Sequence, residues 1–348
     1  MATQNTAAWI PSAKANIELT SVPVYEPGPH ELLIKNKSLA FNPIEWKIQK
    51  LGIFVDKYPT ILGWSFAGTV EKVGAEVKGF NVGDRVVAAR KMVNPNPGLQ
   101  HGAMQQYVVV QDTSAGKLPD SVSFDAASAS LTNLMTAVGA LTLSMGLARP
   151  PPTGTANPTG KKLLVYGGSS VLGRQTTELA RRAGYTVVTT SSPANMAETR
   201  RFAGAGAVVD HTQAAEAVAA QLAALGPFDF AFDAITTAAS KPVVAGVLRR
   251  QGGGVYWSVM PAGPEPDADL PAGVERRGAS YPAVVEADEE TNRWFFDELL
   301  PAGLANGDVT VPKILKLPGG LKSAQDALDR MVKNETGGAK LVVDPWET

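Results

Sequence analysis

One stretch constrains this chain more than any other: KKLLVYGGSSVLGRQTTELARRAGYTVVTTSS, residues 161–192. A short apolar run enters a Gly/Ser-rich turn. A segment that puts Leu172, Thr176, Leu179 and Ala183 on one helical face follows, and a β-branched run closes the unit. A strand, turn, helix and strand of this length aim backbone N–H groups and the positive end of a helix dipole at a pyrophosphate. Gly167 and Gly168 suit the tight turn and a close backbone approach, and Gly173 lets the helix pack close to the sheet. Ser170 stands where a middle glycine often lies. Gly167, Gly168, Ser169, Ser170 and Val171 are thus candidate cofactor contacts; the alternative is an ordinary strand-to-helix turn.

The same alternation continues downstream. YTVVTTSS, AVVDH, FDFAFDAI and GGVYWSVM read as strands, separated by helices in AETRRFAGAG, AAEAVAAQLAALG and KPVVAGVLRRQG. That order predicts an α/β fold with a doubly wound parallel sheet covered on both faces. Ile235, Val259 and Met260 end its last two strands, so they border the ligand crevice of such a sheet.

The first third differs. Leu32 to Ala40, FAGTVEKVG with a bend at Gly68, Arg85 to Ala89 and GAMQQYVVVQD read as short strands. They predict a β-rich, barrel-like domain of roughly 120 residues. SFDAASASLTNLMTAVGALTLSMGL is Ala-rich and helical, with a cap in residues 123–125, and ARPPPTGTANPTGKK is a loop or linker. The tail carries two helices, EETNRWFFDELLPAG and LKSAQDALDRMVKN, and a last strand, AKLVVDP. The expected division is residues 1–125, 126–281 and 282–348, the last segment returning to the first domain.

Composition removes several function classes. There is no cysteine, hence no disulfide, thiol nucleophile or Cys-based zinc site, and the three His (His30, His101, His211) form no ligand pair. No metal site is expected. Formal net charge is −1, which offers no reason for nucleic acid or an anionic membrane as partner. The first residues lack a signal-peptide core, and no run approaches the ~18–20 apolar residues of a membrane span. A soluble, cytoplasmic protein is expected.

The end of the second nucleotide-domain strand sets the cofactor expectation. No Asp or Glu lies between Tyr185 and Asn195 to take a ribose 2′-hydroxyl. Ser191 and Ser192 are candidate donors to a 2′-phosphate, and Arg200 or Arg201 adds charge. NADPH is therefore expected over NADH.

These residues converge on a family. FNPIEWK at 41–47, YPTILGWSFAGTVEKVGAEVKGFNVGDRV at 58–86, GAMQQYVVV at 102–110, the Gly/Ser turn, TSSPAN at 190–195 and GGAKLVV at 337–343 resemble the zinc-independent medium-chain dehydrogenase/reductases. The quinone oxidoreductases and the fungal trans-acting enoyl reductases of secondary metabolism are similar. The resemblance implies a GroES-like β-rich catalytic domain split by a Rossmann cofactor domain, with a small-molecule substrate in the interdomain cleft. Zinc-containing relatives use Cys, His and an acidic residue; here the cysteine is absent and Trp64 replaces the His. Without a Lewis acid, alcohol oxidation loses its means of holding an alkoxide, whereas hydride addition to an activated C=C needs only a few hydrogen bonds to an enolate.

By the same resemblance, Lys47 points to the cofactor's phosphate or ribose, or is a surface lysine. Asn42 contacts the nicotinamide ribose or a substrate carbonyl, or is a turn residue before Pro43. Tyr58 is a candidate proton donor or a packed Tyr-Pro. Trp64 lines the pocket floor or is core. Thr136 sits against the nicotinamide. Asn195 matches a cofactor-binding element, and His211 stacks on the adenosine or is a solvated strand-end residue. Lys340 reads as structural. An acyl-carrier protein is a further candidate partner, a non-redox use of the fold is the rival reading, and relatives occur as monomers and homodimers.

Overall fold

The strand pattern read from the sequence is realised, with further strands, in a computed structural model that describes residues 4–91, 96, 98–151, 153–204, 206–261, 267 and 269–348. In chain order the first strands are β1 (Gln4–Ile10), β2 (Glu18–Pro23), β3 (Glu31–Ala40), β4 (Thr60–Ile61), β5 (Ser65–Val73), β6 (Arg85–Ala89), β7 (Tyr107–Gln111) and β8 (Ala115–Lys117). Between β3 and β4 lies helix α1 (Pro43–Leu51), and after β8 comes α2 (Phe124–Val138). Then follow β9 (Lys162–Tyr166), α3 (Val171–Arg182), β10 (Thr186–Ser191), α4 (Met196–Ala203), β11 (Val208–Asp210) and α5 (Ala215–Ala224). Next are β12 (Phe230–Asp233), α6 (Ser240–Arg250), β13 (Gly254–Ser258) and β14 (Val274–Gly278); the tail adds β15 (Ile314–Lys316) and β16 (Lys340–Val343).

The chain divides into two units, Met1–Thr132 with Glu286–Thr348, and Asn133–Val285. Both boundaries fall inside helices, α2 and Tyr281–Ala287, rather than at the composition changes near 125 and 281.

In the first unit β3 organises the sheet. It pairs antiparallel with β5 along one edge; along the other, β7 takes its first half and β16 its end. The register shifts between Asn36 and Ser38, opposite Gly68. A Cβ at Gly68 would lie 2.0 Å from the Lys35 carbonyl oxygen, so the bend expected there needs glycine. The inward faces of β3, β5 and β6 pack on Ile48 of α1 and on Ala324, Ala327 and Leu328 of the tail helix Ala324–Val332.

The second unit is an all-parallel sheet in the order β11-β10-β9-β12-β13-β14. Strand order reverses between β9 and β12, the topological switch point of a doubly wound sheet. Leu172, Thr176, Leu179 and Ala183 are all buried on α3, as their spacing requires. Residues 148–161 hold no helix or strand among those described.

The membrane expectation needs one correction. The helix Phe124–Ser144, which is α2 with its π-helical continuation Gly139–Ser144, is long and apolar enough to cross a membrane by composition. Its apolar window is 72% buried inside the protein, because this is a core helix.

Candidate cofactor and active-site residues

The turn after β9 is built to bring backbone close to a ligand. Gly167 adopts φ 88°, and its N–H donates to Thr190 Oγ1 at 2.8 Å. A Cβ at Gly168 would meet Thr189 Oγ1 at 2.0 Å, and one at Gly173 would meet the Gly167 carbonyl oxygen at 2.1 Å. Ser170 has a reason to replace glycine: it is the N-cap of α3. Its Oγ accepts from Gly173 N at 3.0 Å and donates to the Gly167 carbonyl at 2.8 Å. The N–H groups of Val171 and Leu172 in the same first turn have no intrahelical acceptor and lie at the positive end of the helix. Ile235 is drawn to this turn, its Cγ1 only 2.3 Å from where a Gly167 Cβ would stand. The residues present fit a dinucleotide: a cradle closed to any side chain, at a helix N-terminus, at the switch point of a parallel sheet.

At the end of β10 the two serines separate. Ser191 is buried; its Oγ accepts from Thr199 Oγ1 at 2.9 Å and donates to the Ser192 carbonyl at 3.2 Å. It ties β10 to α4. Ser192 is only partly buried, with Asn195 Nδ2 3.4 Å from its Oγ, and Arg200 and Arg201 are exposed. His211 donates its backbone N–H to the Ser191 carbonyl at 3.1 Å, and its ring lies 6.1 Å from that of Tyr166. Sequence reading missed Arg174, which joins Glu198 of α4 at 2.7 Å and lies over Phe202.

The loop after β12 is pinned by Asp233. Its buried carboxylate accepts from Ile235 N, Thr236 N and Ser240 Oγ at 3.0, 2.9 and 2.6 Å. Burial raises this carboxyl against those hydrogen bonds. Val259 N reaches the Asp233 carbonyl at 3.1 Å, so Ile235 and Val259 are tied to one anchor, and the Met260 carbonyl accepts from Ser258 Oγ at 2.9 Å. Thr136 is buried on α2.

In the first unit Asn42 and Trp64 come together through a residue that the sequence reading passed over, Glu45. Asn42 caps α1, and the Glu45 carboxylate accepts from Asn42 N at 2.8 Å and Trp64 N at 3.2 Å. Asn42 Oδ1 accepts from Lys340 Nζ at 2.6 Å, and Asn42 Nδ2 lies 3.5 Å from Ser65 Oγ. Ser65 in turn bonds Thr132. The Arg90 guanidinium lies 4.6 Å over the Trp64 ring and donates to the Ile61 carbonyl at 3.2 Å. All of these side chains are buried. Burial pushes the Glu45 carboxyl up and the Lys340 ammonium down, and it lowers Arg90 to about 10, with Glu45 opposing that shift. Trp64 belongs to the core, and both ends of the Asn42 carboxamide are engaged within the unit. The signal for Glu45 was present: NPIE is a capping-box pattern with Glu at the third helical position.

Tyr58 stands apart, its hydroxyl donating to the Val55 carbonyl at 3.3 Å. Lys47 is half-buried, which lowers its ammonium, and sits 5.9 Å over the Trp46 ring. Among the described residues no three His, Cys, Asp or Glu side chains gather as metal ligands.

A β-rich unit split in sequence by a doubly wound parallel sheet defines a two-unit α/β architecture. The Alcohol dehydrogenase GroES-like domain model matches residues 28–120. Over 358 residues the chain is 32% identical to Dehydrogenase orsE of Emericella nidulans, covering 98% of this chain and 99% of that protein. It is 31% identical over 352 residues to Trans-enoyl reductase himH of Aspergillus japonicus, covering 98% and 97%. The crystal structure of CurK enoyl reductase superposes with a TM-score of 0.75 at 16% identity, covering 98% of this chain and 99% of that one. The chain belongs to the medium-chain dehydrogenase/reductase family and is an oxidoreductase of the reductase type.

Proposed function

We propose that this protein is an NADPH-dependent, metal-free reductase of an activated C=C: an enone, a quinone or an enoyl thioester. The observation that carries the reading is the side-chain-free cradle of Gly167, Gly168 and Gly173 at the N-terminus of α3, followed by a β10 end with no carboxylate. Bound NADPH would supply hydride. The turn residues Ser169 to Val171 would hold its pyrophosphate through backbone N–H groups. Ser192, Asn195 and Arg200 would receive the 2′-phosphate, with Ser191 supporting them from beneath through Thr199. In the first unit Glu45 holds the Trp64 backbone N–H, where a metal-using relative would present its ligand, and Asn42, fixed by Lys340, lies beside Ser65 Oγ. No side chain here is assigned as a strong acid toward the product, and solvent is the proton source in this reading.

A second reading, favoured by similarity to a trans-enoyl reductase, is that the thioester arrives on an acyl-carrier protein. A cytoplasmic location accords with the absence of cysteine.

The test is titration of purified, metal-stripped protein with NADPH and NADH, read by nicotinamide fluorescence. Cofactor oxidation is then followed with a small enone, a quinone and crotonyl N-acetylcysteamine thioester. Preferential NADPH binding with metal-independent turnover supports the reading. No binding of either cofactor overturns it, and binding without turnover on the whole panel favours the non-redox use of the fold.

A further inference from the structure

Among the described residues Lys14, Phe54, Thr236 and Asn334 hold a left-handed backbone without being glycine. Thr236, at φ 54°, is the β-branched one, and a branched Cβ makes this region most costly. Glycine there would carry no such strain. The turn holds threonine regardless. Asp233, buried at the end of β12, accepts from the N–H groups of Ile235 and Thr236 and from the hydroxyl of Ser240, the first residue of α6. Strained backbone that its surroundings over-determine concentrates at functional sites.

What threonine offers and glycine lacks is the hydroxyl. Thr236 Oγ1 accepts from Val259 N at 3.1 Å and donates to the Asp233 carbonyl at 3.3 Å. Val259 N also reaches that carbonyl at 3.1 Å. The Val259 N–H is thus satisfied without the hydroxyl, and the need to pair a backbone donor does not account for the strained residue. The hydroxyl adds a second restraint. It acts on the first residue beyond β13, next to the point where Asp233 pairs with Ser258.

The place of this restraint in the sheet gives it a role. The glycine turn follows β9, and Ser192 follows β10 on one side of it, while β12 and β13 lie on the other side. At about 4.8 Å per strand, the end of β13 stands about 10 Å from that of β9. A dinucleotide laid across the switch point with its 2′-phosphate at β10 extends its nicotinamide half toward β12 and β13. Ile235 covers the near end of that half, against Gly167, and Val259 stands at the far end.

We propose that Thr236 is a positioning residue for the nicotinamide half of the cofactor: its hydroxyl, aimed by the turn that Asp233 holds, locks Val259 and joins the ends of β12 and β13 into one rigid edge. This rests on the dinucleotide reading given above.

Three variants separate the contributions. Thr236→Gly removes both strain and hydroxyl, Thr236→Val keeps the branched shape and removes the hydroxyl, and Thr236→Ser keeps the hydroxyl. Each is titrated with NADPH by nicotinamide fluorescence and with adenosine 2′,5′-bisphosphate, which lacks the nicotinamide half, by calorimetry. Thermal unfolding gives Tm. Thr236→Gly is expected to hold Tm near the wild-type value, strain relief offsetting the lost hydroxyl, and Thr236→Val to lower it. Both are nevertheless expected to raise Kd for NADPH at least fivefold and to leave Kd for the bisphosphate within twofold, and Thr236→Ser to restore NADPH binding. The proposal is overturned if NADPH binds the glycine and valine variants as it binds wild type, if the two ligands weaken in step, or if Kd simply follows Tm. Failure of the dinucleotide reading looks different: wild type itself then binds neither NADPH nor NADH, and the proposal falls with it before any variant is compared.

Discussion

Replacing Lys340 by Met tests whether the buried network around Glu45 is held by charge. Met keeps most of the aliphatic stem but removes the donor 2.6 Å from Asn42 Oδ1 and the cation that opposes Glu45. Leaving the buried Asn42 Oδ1 without its donor costs about 1–3 kcal/mol. Relief of the desolvated ammonium and loss of its attraction for Glu45 act in opposite directions, which puts the expectation at about 2 kcal/mol. With a urea m-value of about 3 kcal/mol/M, the midpoint falls by about 0.7 M. Glu45→Gln leaves one acceptor facing the donors at Asn42 and Trp64 and is expected to cost a similar amount. The double variant should lose less than the sum, by about 1.5–3 kcal/mol.

The pH dependence has a definite sign. Burial raises the Glu45 carboxyl above its ordinary 4.5, so its ionisation costs the native state. The stability gained from holding that proton is complete below 4.5 and is lost as pH rises through the higher folded value. Without Lys340 the folded value rises further, so the Lys340→Met deficit should be larger at pH 8 than at pH 5. Intrinsic tryptophan fluorescence, with Trp64 in the network, follows unfolding. A deficit that is flat from pH 5 to pH 8, or single variants that add to within about 0.5 kcal/mol, would refute a charge-held network.

Gly173→Ala is expected to weaken NADPH binding at least tenfold in a fluorescence titration, because its Cβ meets the backbone carbonyl of Gly167. Gly168→Ala meets a threonine hydroxyl instead and should do less damage; the reverse ranking would refute the cradle geometry. Ser192→Ala should reduce the preference for NADPH over NADH by roughly 10–150-fold, the loss of one hydrogen bond to a charged group worth about 1.5–3 kcal/mol. Ser191→Ala should cost about 1 kcal/mol of stability and leave that preference unchanged, and a shift in preference with Ser191 alone would reverse these roles. Dialysis against EDTA should leave turnover unchanged; activity lost to the chelator and restored by zinc would sink the metal-free reading.

Much of this protein was legible in local pattern. The strand–turn–helix at 161–182 needs only neighbouring residues, so the nucleotide unit and its glycines could be read directly. The long strands β3, β5 and β6 carry their own alternation. Strands whose hydrogen bonds come from elsewhere were not readable. β14, VERRG, is a charged edge strand whose strand partner is β13, and an edge needs no apolar pattern of its own. β1 and β2 pair with each other, with no comparable run to announce them.

The site divides the same way. Local sequence determined the cap at Ser170 and the tight turn at Gly167. Only the tertiary structure decided that Ser191 turns inward while Ser192 stays partly exposed, since that follows from packing of α4 on β10. It also decided that Lys340 meets Asn42 across 298 positions and places a buried cation beside Glu45. Burial, which sets the charge state of both groups, is a property of the assembled sheet and helices, and no residue carries it alone.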